Sequence, residues 1–315
     1  MDRSLLALAV VLGLLALPVS ALAQSTEEGA EPSDAASELD LWTISSVASL
    51  TFFTAQMDHE AIGHGGACLL TGSELLGVST SVLGCEEDSD LAHGLVSAGG
   101  TVADFAVGAS LATSLYLAPP DDGTTYYFMW LLSAVSLLQA GGYMMVFPWV
   151  PDAGDWANDG VFRGVEPKLA WQLGISALGL GITFGAIPIL NALLEPLLGD
   201  AEDRDSRRAW MTLLPYALGS TLITSGALLN RAGAGLGAFS AGAATFGGTL
   251  FLAYLPLFFD DDFFRPGPRT DAAGKPIPFS AGWVTAGAIA AVAAVAIFGP
   301  GIGGGFDEPH PLGLP

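Results

Sequence analysis

His59, Glu60 and His64 stand close together in the stretch Asp58-His59-Glu60-Ala61-Ile62-Gly63-His64-Gly65-Gly66, inside an apolar run long enough to cross a membrane. Neutral imidazoles bind zinc, and a carboxylate beside the metal handles protons. Two histidines flanking a glutamate are therefore the components of a metal-dependent hydrolase. Ionisable side chains at bilayer depth are costly, so they are rare there and mark function. The alternative is a polar packing cluster, but hydrogen bonds between membrane helices contribute only about 0.6 kcal/mol on average. That is a weak reason to place three ionisable residues in six positions. A proton or ion pathway is the remaining use of such a cluster. Three of the four histidines, His59, His64 and His93, fall in one short region, and His310 lies in a Pro/Gly-rich tail. His93 reads as a helix-start residue near the membrane surface. Asp104, inside the next apolar run, needs a partner of its own. Metal-bound histidines usually give their second N–H to a carboxylate or carbonyl, and the role expected of Asp104 is to orient a histidine in this way or to line a hydrated cavity.

These residues must be positioned by elements that the composition makes membranous. Hydrophobic residues make up 51% of the 315 and charged residues 13%, about half the charged share of a soluble domain. Net charge is −22, from 10 basic and 32 acidic residues, with acidic tracts at 27–40, 86–90 and 260–262. Such tracts are solvated loops, and they exclude nucleic acid and anionic head groups as partners, because both need clustered Lys and Arg. Arg3, the apolar run 5–17 and Ala21-Leu22-Ala23 read as a secretory signal over 1–23, followed by a polar acidic tether over 24–40. Apolar stretches at about 41–69, 92–118, 125–149, 167–197, 209–229, 232–259 and 281–303 each reach the roughly 20 residues that a spanning helix requires. Pro188 predicts a kink or break in the fourth. Trp42, Tyr126, Tyr127, Trp149, Trp171, Trp210 and Trp283 at segment ends match an interfacial belt. The predicted fold class is an all-α, polytopic membrane helical bundle.

Between the first two stretches, residues 75–83 look strand-like and form a short β-hairpin-like loop, bracketed by Cys68 and Cys85, the only cysteines. Backbone at membrane depth must be satisfied by protein, so this loop packs against the site. Its cysteines are either a disulfide, which requires an oxidising compartment, or two unrelated buried thiols. The orientation signals oppose one another. Cleavage after Ala23 puts residue 24 outside, whereas the Lys/Arg distribution and a disulfide both put the hairpin-like loop outside.

The chain resembles the site-2 protease family of intramembrane zinc metalloproteases over residues 41–165. The resemblance is carried by His59-Glu60-Ala61-Ile62-Gly63-His64, by the strand-like loop followed by Val96-Ser97-Ala98-Gly99-Gly100-Thr101-Val102-Ala103-Asp104, and by Pro151-Asp152-Ala153-Gly154-Asp155-Trp156-Ala157-Asn158-Asp159-Gly160. It implies a catalytic core at 41–165, further transmembrane helices at 166–303 and a C-terminal tail at 304–315. It also implies Zn2+ held by His59, His64 and Asp155, with Asp152 and Asp159 as alternatives for the third ligand, and Glu60 as general base. The expected function is a membrane-embedded protease that cleaves membrane-protein substrates in or near the bilayer. The expected place is a multi-pass position in the inner membrane of a bacterium. A strand at 75–83 would let an extended substrate add to it. The family spacing is HExxH, whereas this chain has HExxxH. Residues at i and i+5 lie about 140° apart on a regular helix, so convergence on one metal predicts a π-bulge near Gly63. The extra residue favours a second reading, an inactive membrane scaffold or regulator of the same fold. A third, an ion- or proton-coupled transporter, predicts paired broken helices in two halves.

Overall fold

A computed structural model describes residues 39–150, 154–198, 204–230, 247–258 and 274–303. The expected signal, most of the acidic tether, Asp152 and the C-terminal tail lie outside these residues, as does most of the sixth apolar stretch. The fold is mostly helical, with a small three-stranded sheet.

Helix α1 (Leu41–Met57) starts where the Asp40 carboxylate accepts from the Thr43 N–H at 2.7 Å, satisfying one of the orphan donors of a helix start. It continues without interruption through a π-helical segment (Asp58–His64) into α2 (Gly65–Leu70). The strands β1 (Glu74–Val78) and β2 (Leu83–Glu86) then form an antiparallel hairpin, with Leu75 opposite Cys85 and Val78 opposite Leu83. Ser79 closes its turn, the hydroxyl accepting from the N–H groups of Ser81 and Val82. Cys68 and Cys85 form a disulfide.

Helix α3 (Asp90–Leu117) is capped by Ser89, and α4 (Gly123–Val146) by Asp122. A 3-10 turn (Phe147–Trp149) ends α4. The long α5 (Lys168–Leu198) and α6 (Arg204–Ala227) follow, then α7 (Leu250–Phe258) and α8 (Ala281–Val292), which leads through a second π-helical turn (Ala293–Ile297). The last strand, β3 (Ile302–Gly303), joins the free side of β1, giving the order β2-β1-β3. The hairpin expected at 75–83 is thus present, and chain from the far C-terminal side completes it as a sheet.

Among the described residues, three helices are long and apolar enough to cross a membrane: Asp90–Leu117, Gly123–Trp149 and Lys168–Leu198. The middle one is enclosed by the others, and its aromatic residues other than Phe128 and Trp149 are buried in the core. Tyr126 and Tyr127, expected at a membrane surface, are buried. The Tyr126 hydroxyl donates to the Leu193 carbonyl at 2.8 Å, and Trp130 Nε1 to the Leu190 carbonyl at 2.9 Å. The Tyr127 hydroxyl donates to the Met211 carbonyl at 2.9 Å. Pro215, four residues on in α6, has no N–H to offer that carbonyl, so the tyrosine fills the gap the proline leaves. Trp149, Trp171 and Trp210 are half exposed near helix ends, as a belt requires. Of the kink or break expected at Pro188, a break does not occur: α5 is helical through both Pro188 and Pro196.

Candidate metal centre

The π-helical segment answers the spacing problem in the motif. One wider turn puts residues five apart where a regular helix puts residues four apart, so His59 and His64 share a face. Their Nε2 atoms lie 3.2 Å from each other. Asp155 Oδ2 completes a triangle, 3.1 Å from His59 Nε2 and 3.3 Å from His64 Nε2. A tetrahedral ion with bonds of about 2.0–2.1 Å separates its ligand atoms by about 3.3 Å, so the donor spacing fits zinc. His59, His64 and Asp155 form the group that could hold a metal ion among the described residues.

The far side of each ring is fixed as well. His59 Nδ1 lies 2.8 Å from Asp104 Oδ2, and His64 Nδ1 lies 2.6 Å from the Val96 carbonyl oxygen. A carbonyl can only accept, so Nδ1 of His64 carries the proton and Nε2 presents its lone pair to the centre. The same tautomer for His59 follows when Asp104 is ionised. These are the outer partners that metal-bound histidines take. Asp104, expected to orient a histidine, does so. The Val96 carbonyl left no trace in the sequence, because any residue type supplies a carbonyl.

Close helix approach makes this geometry. Helix α3 crosses the π-helical segment at glycines: a Cβ on Gly63 would lie 2.6 Å from Gly100 Cα. A Cβ on Gly100 would lie 2.6 Å from both His59 Nε2 and His64 Nε2, where the three candidate ligand atoms converge. Any side chain at residue 100 would therefore crowd these candidate ligand atoms. Asp155 arrives from a loop after α4. Gly154 before it adopts φ +98°, a conformation open to glycine, and an added Cβ would strike the Phe147 ring. Trp156 after it is buried and donates Nε1–H to Thr101 Oγ1 at 2.9 Å, while the Asp155 carbonyl accepts from Val161 N at 2.7 Å. Burial by itself raises a carboxyl's pKa. When protons rather than a metal occupy the two Nε2 atoms, the His64 charge and hydrogen bonds from both histidines outweigh it and hold Asp155 well below the ordinary carboxylate range. Asp155 is the anion of the site.

Glu60 is buried in the same segment, and its Oε1 accepts from Gln56 Nε2 at 3.2 Å. Gln56, one turn earlier in an apolar helix, is a polar partner that the motif did not reveal. Tyr143 is a second omission: its ring lies 5.7 Å from that of His59 and stacks on Phe147. Asp159, an alternative third ligand, is not in the triad; its backbone carbonyl instead meets His93 Nε2. His93 sits in the first turn of α3, as expected. The hairpin lies alongside, with Leu83 in contact distance of the position a Cβ on Gly65 would take. Strand β1 already pairs on one side with β2 and, at Gly77 and Val78, on the other with β3. Added chain along the hairpin would thus meet β2 first.

Comparison with family models, with curated proteins and with solved structures finds no match to this chain.

Proposed function

We propose that this protein is a membrane-embedded zinc metalloprotease that cleaves membrane-protein substrates in or near the bilayer. The observation that carries the reading is the convergence of His59 Nε2, His64 Nε2 and Asp155 Oδ2 at 3.1–3.3 Å, with each histidine's other nitrogen already engaged. The scaffold reading drew its support from the extra residue in HExxxH, and the π-helical segment accommodates that residue. The broken helices wanted for a transporter are absent from α5, the stretch where one was expected.

Zinc bound by His59, His64 and Asp155 would supply a Lewis acid and a water of lowered pKa. Glu60 is the general base of this proposal. It takes the proton of the attacking water as oxygen bonds to the scissile carbonyl carbon, and returns it to the amine as the C–N bond breaks. Asp104 and the Val96 carbonyl keep both imidazoles in register throughout. The bilayer reading is supported by exposed apolar side chains on the long helices, among them Val102 and Phe105 on α3 and Leu173, Phe184 and Ile189 on α5. Such surface is costly in water and neutral against lipid.

The test is Glu60→Gln beside His64→Ala in detergent-purified protein. Gln keeps the size of Glu but cannot accept the proton, so Glu60→Gln should retain zinc and lose proteolysis. His64→Ala should lose both. Uncleaved single-span proteins accumulating in Glu60→Gln membranes would identify substrates. If Glu60→Gln fully restores function to a deletion strain, the protease reading fails.

A further inference from the structure

We infer that the face carrying the hairpin, the Asp155 loop and the Cys68–Cys85 disulfide is the non-cytoplasmic face, and that the candidate site is reached from that side. The contacts sort the chain ends of the helices into two faces. On one face, Asp40 N donates to the Ile277 carbonyl at 2.8 Å, and Lys275 Nζ donates to the carbonyls of Pro120 and Asp121 at 2.8 and 3.2 Å. Lys275 N donates to the Pro196 carbonyl, and Arg204 pairs with Glu195. The start of α1, the α3–α4 loop, the end of α5 and the starts of α6 and α8 therefore share this face.

On the opposite face, the disulfide joins α2 to β2, and Asn230 after α6 donates to Ser79 Oγ at 2.9 Å. Thr80 N donates to the Phe298 carbonyl at 3.1 Å, β3 pairs with β1, and Arg163 pairs with Asp90 at 3.2 Å. Every described connection falls on one face or the other.

Two independent signals then agree. A disulfide forms and persists in an oxidising compartment, and the only pair in the chain lies on the hairpin face. Cytoplasmic segments of membrane proteins carry the excess of Lys and Arg. Among the described residues, Arg204, Arg207, Arg208 and Lys275 lie at the other face, against Arg163 and Lys168 at the hairpin face. Acids lie on both faces, with Glu74, Glu86, Glu87, Asp88, Asp90, Asp159 and Glu166 at the hairpin face and Asp40, Asp121, Asp122, Glu195 and Asp205 at the other, so the basic residues make the difference. Residue 39, which bridges to Ile277, is then cytoplasmic. That placement is incompatible with cleavage after Ala23, which would leave residue 24 outside.

The site belongs to the hairpin face by depth as well. His64 precedes the end of α2 by six residues, about 9 Å of helix, and Asp155 is supplied by a loop of that face. Resting on the protease reading, the bond it reaches is in the extracytoplasmic juxtamembrane stretch of a membrane protein.

The experiment labels full-length protein in intact cells with a membrane-impermeant maleimide, using single variants Glu166→Cys and Asp121→Cys, both exposed positions on opposite faces. Glu166→Cys should react in intact cells, and Asp121→Cys only after permeabilisation. The unsubstituted protein should show no reactive thiol until it is reduced, and two afterwards. The reverse labelling pattern, reaction of both variants in intact cells, or free thiols in the unreduced protein would each overturn the inference. Zinc content of the same preparations reads the metal centre separately, so a wrong orientation and a wrong metal assignment are told apart.

Discussion

Gly100 illustrates how little material decides whether this centre can hold an ion. Its missing Cβ would stand 2.6 Å from both Nε2 atoms, so Gly100→Ala should abolish stoichiometric zinc. Overpacking of this kind also costs about 1–3 kcal/mol of stability. Gly66→Ala is the matched control, because a Cβ there meets nothing within 4 Å; it should bind zinc as the parent does, with metal analysis as the readout. Asp104 acts one bond further out. Asp104→Ala should weaken zinc binding by about 10–100-fold in a chelator competition, the usual effect of losing an outer partner. Asp104→Asn, whose amide oxygen can still accept from His59 Nδ1, should recover part of that loss. Equal affinity in all three proteins would show that Asp104 is a bystander. At this scale the sequence was informative: His59, Glu60, His64 and Asp104 were legible from residue type, and the family resemblance offered Asp155 with Asp152 and Asp159 as alternatives. Val96, Gln56 and Gly100 were not, since a carbonyl, one amide among apolar neighbours and an absent side chain leave no pattern to find.

The element that matters most is the π-helical segment at Asp58–His64. Its extra residue rotates His64 into register with His59, so removing one residue there should convert the segment to ordinary α-helix with its flanks in unchanged register. Deleting Ile62, which is exposed, restores the i,i+4 spacing and should keep about one zinc per chain. Deleting the buried Val47 from α1 instead rotates everything beyond it by about 100° relative to its packing and should lose zinc. Zinc lost on deleting Ile62 but kept on deleting Val47 would sink the argument. The need for a bulge was readable from the i,i+5 spacing. That α5 would pass through Pro188 unbroken was not, because a proline inside an apolar run can either kink a helix or end it.

For the whole molecule, the Cys68–Cys85 disulfide fastens the end of the ligand-bearing helix to the hairpin, joining cysteines 17 positions apart in sequence. Closing a loop of that size stabilises a fold by about 3 kcal/mol, chiefly by restricting the unfolded chain. Cys68→Ser with Cys85→Ser should therefore lower the thermal midpoint in detergent, and reductant should lower the parent's midpoint towards the same value. No change from either would mean that the hairpin is held by the β3 pairing and by Asn230 alone. Three helices of spanning length and their exposed apolar flanks also predict that the protein stays in the pellet through alkaline carbonate extraction. Release into the supernatant would remove the membrane reading.

Composition and periodicity by themselves determined that the chain is helical and apolar, where most of its described helices fall, that a hairpin interrupts them, and which residue types could bind metal. These are local properties, carried by neighbours in the chain. Only the tertiary structure decided that Tyr126 and Tyr127 face the core, where a carbonyl freed by Pro215 receives one of them. It also paired Cys68 with Cys85, chose Asp155 over Asp159, and brought β3 from the other end of the chain to β1. Each of those depends on groups far apart in sequence, whose meeting is set by the glycine crossing of α3 on the π-helical segment and by the loop held by Trp156.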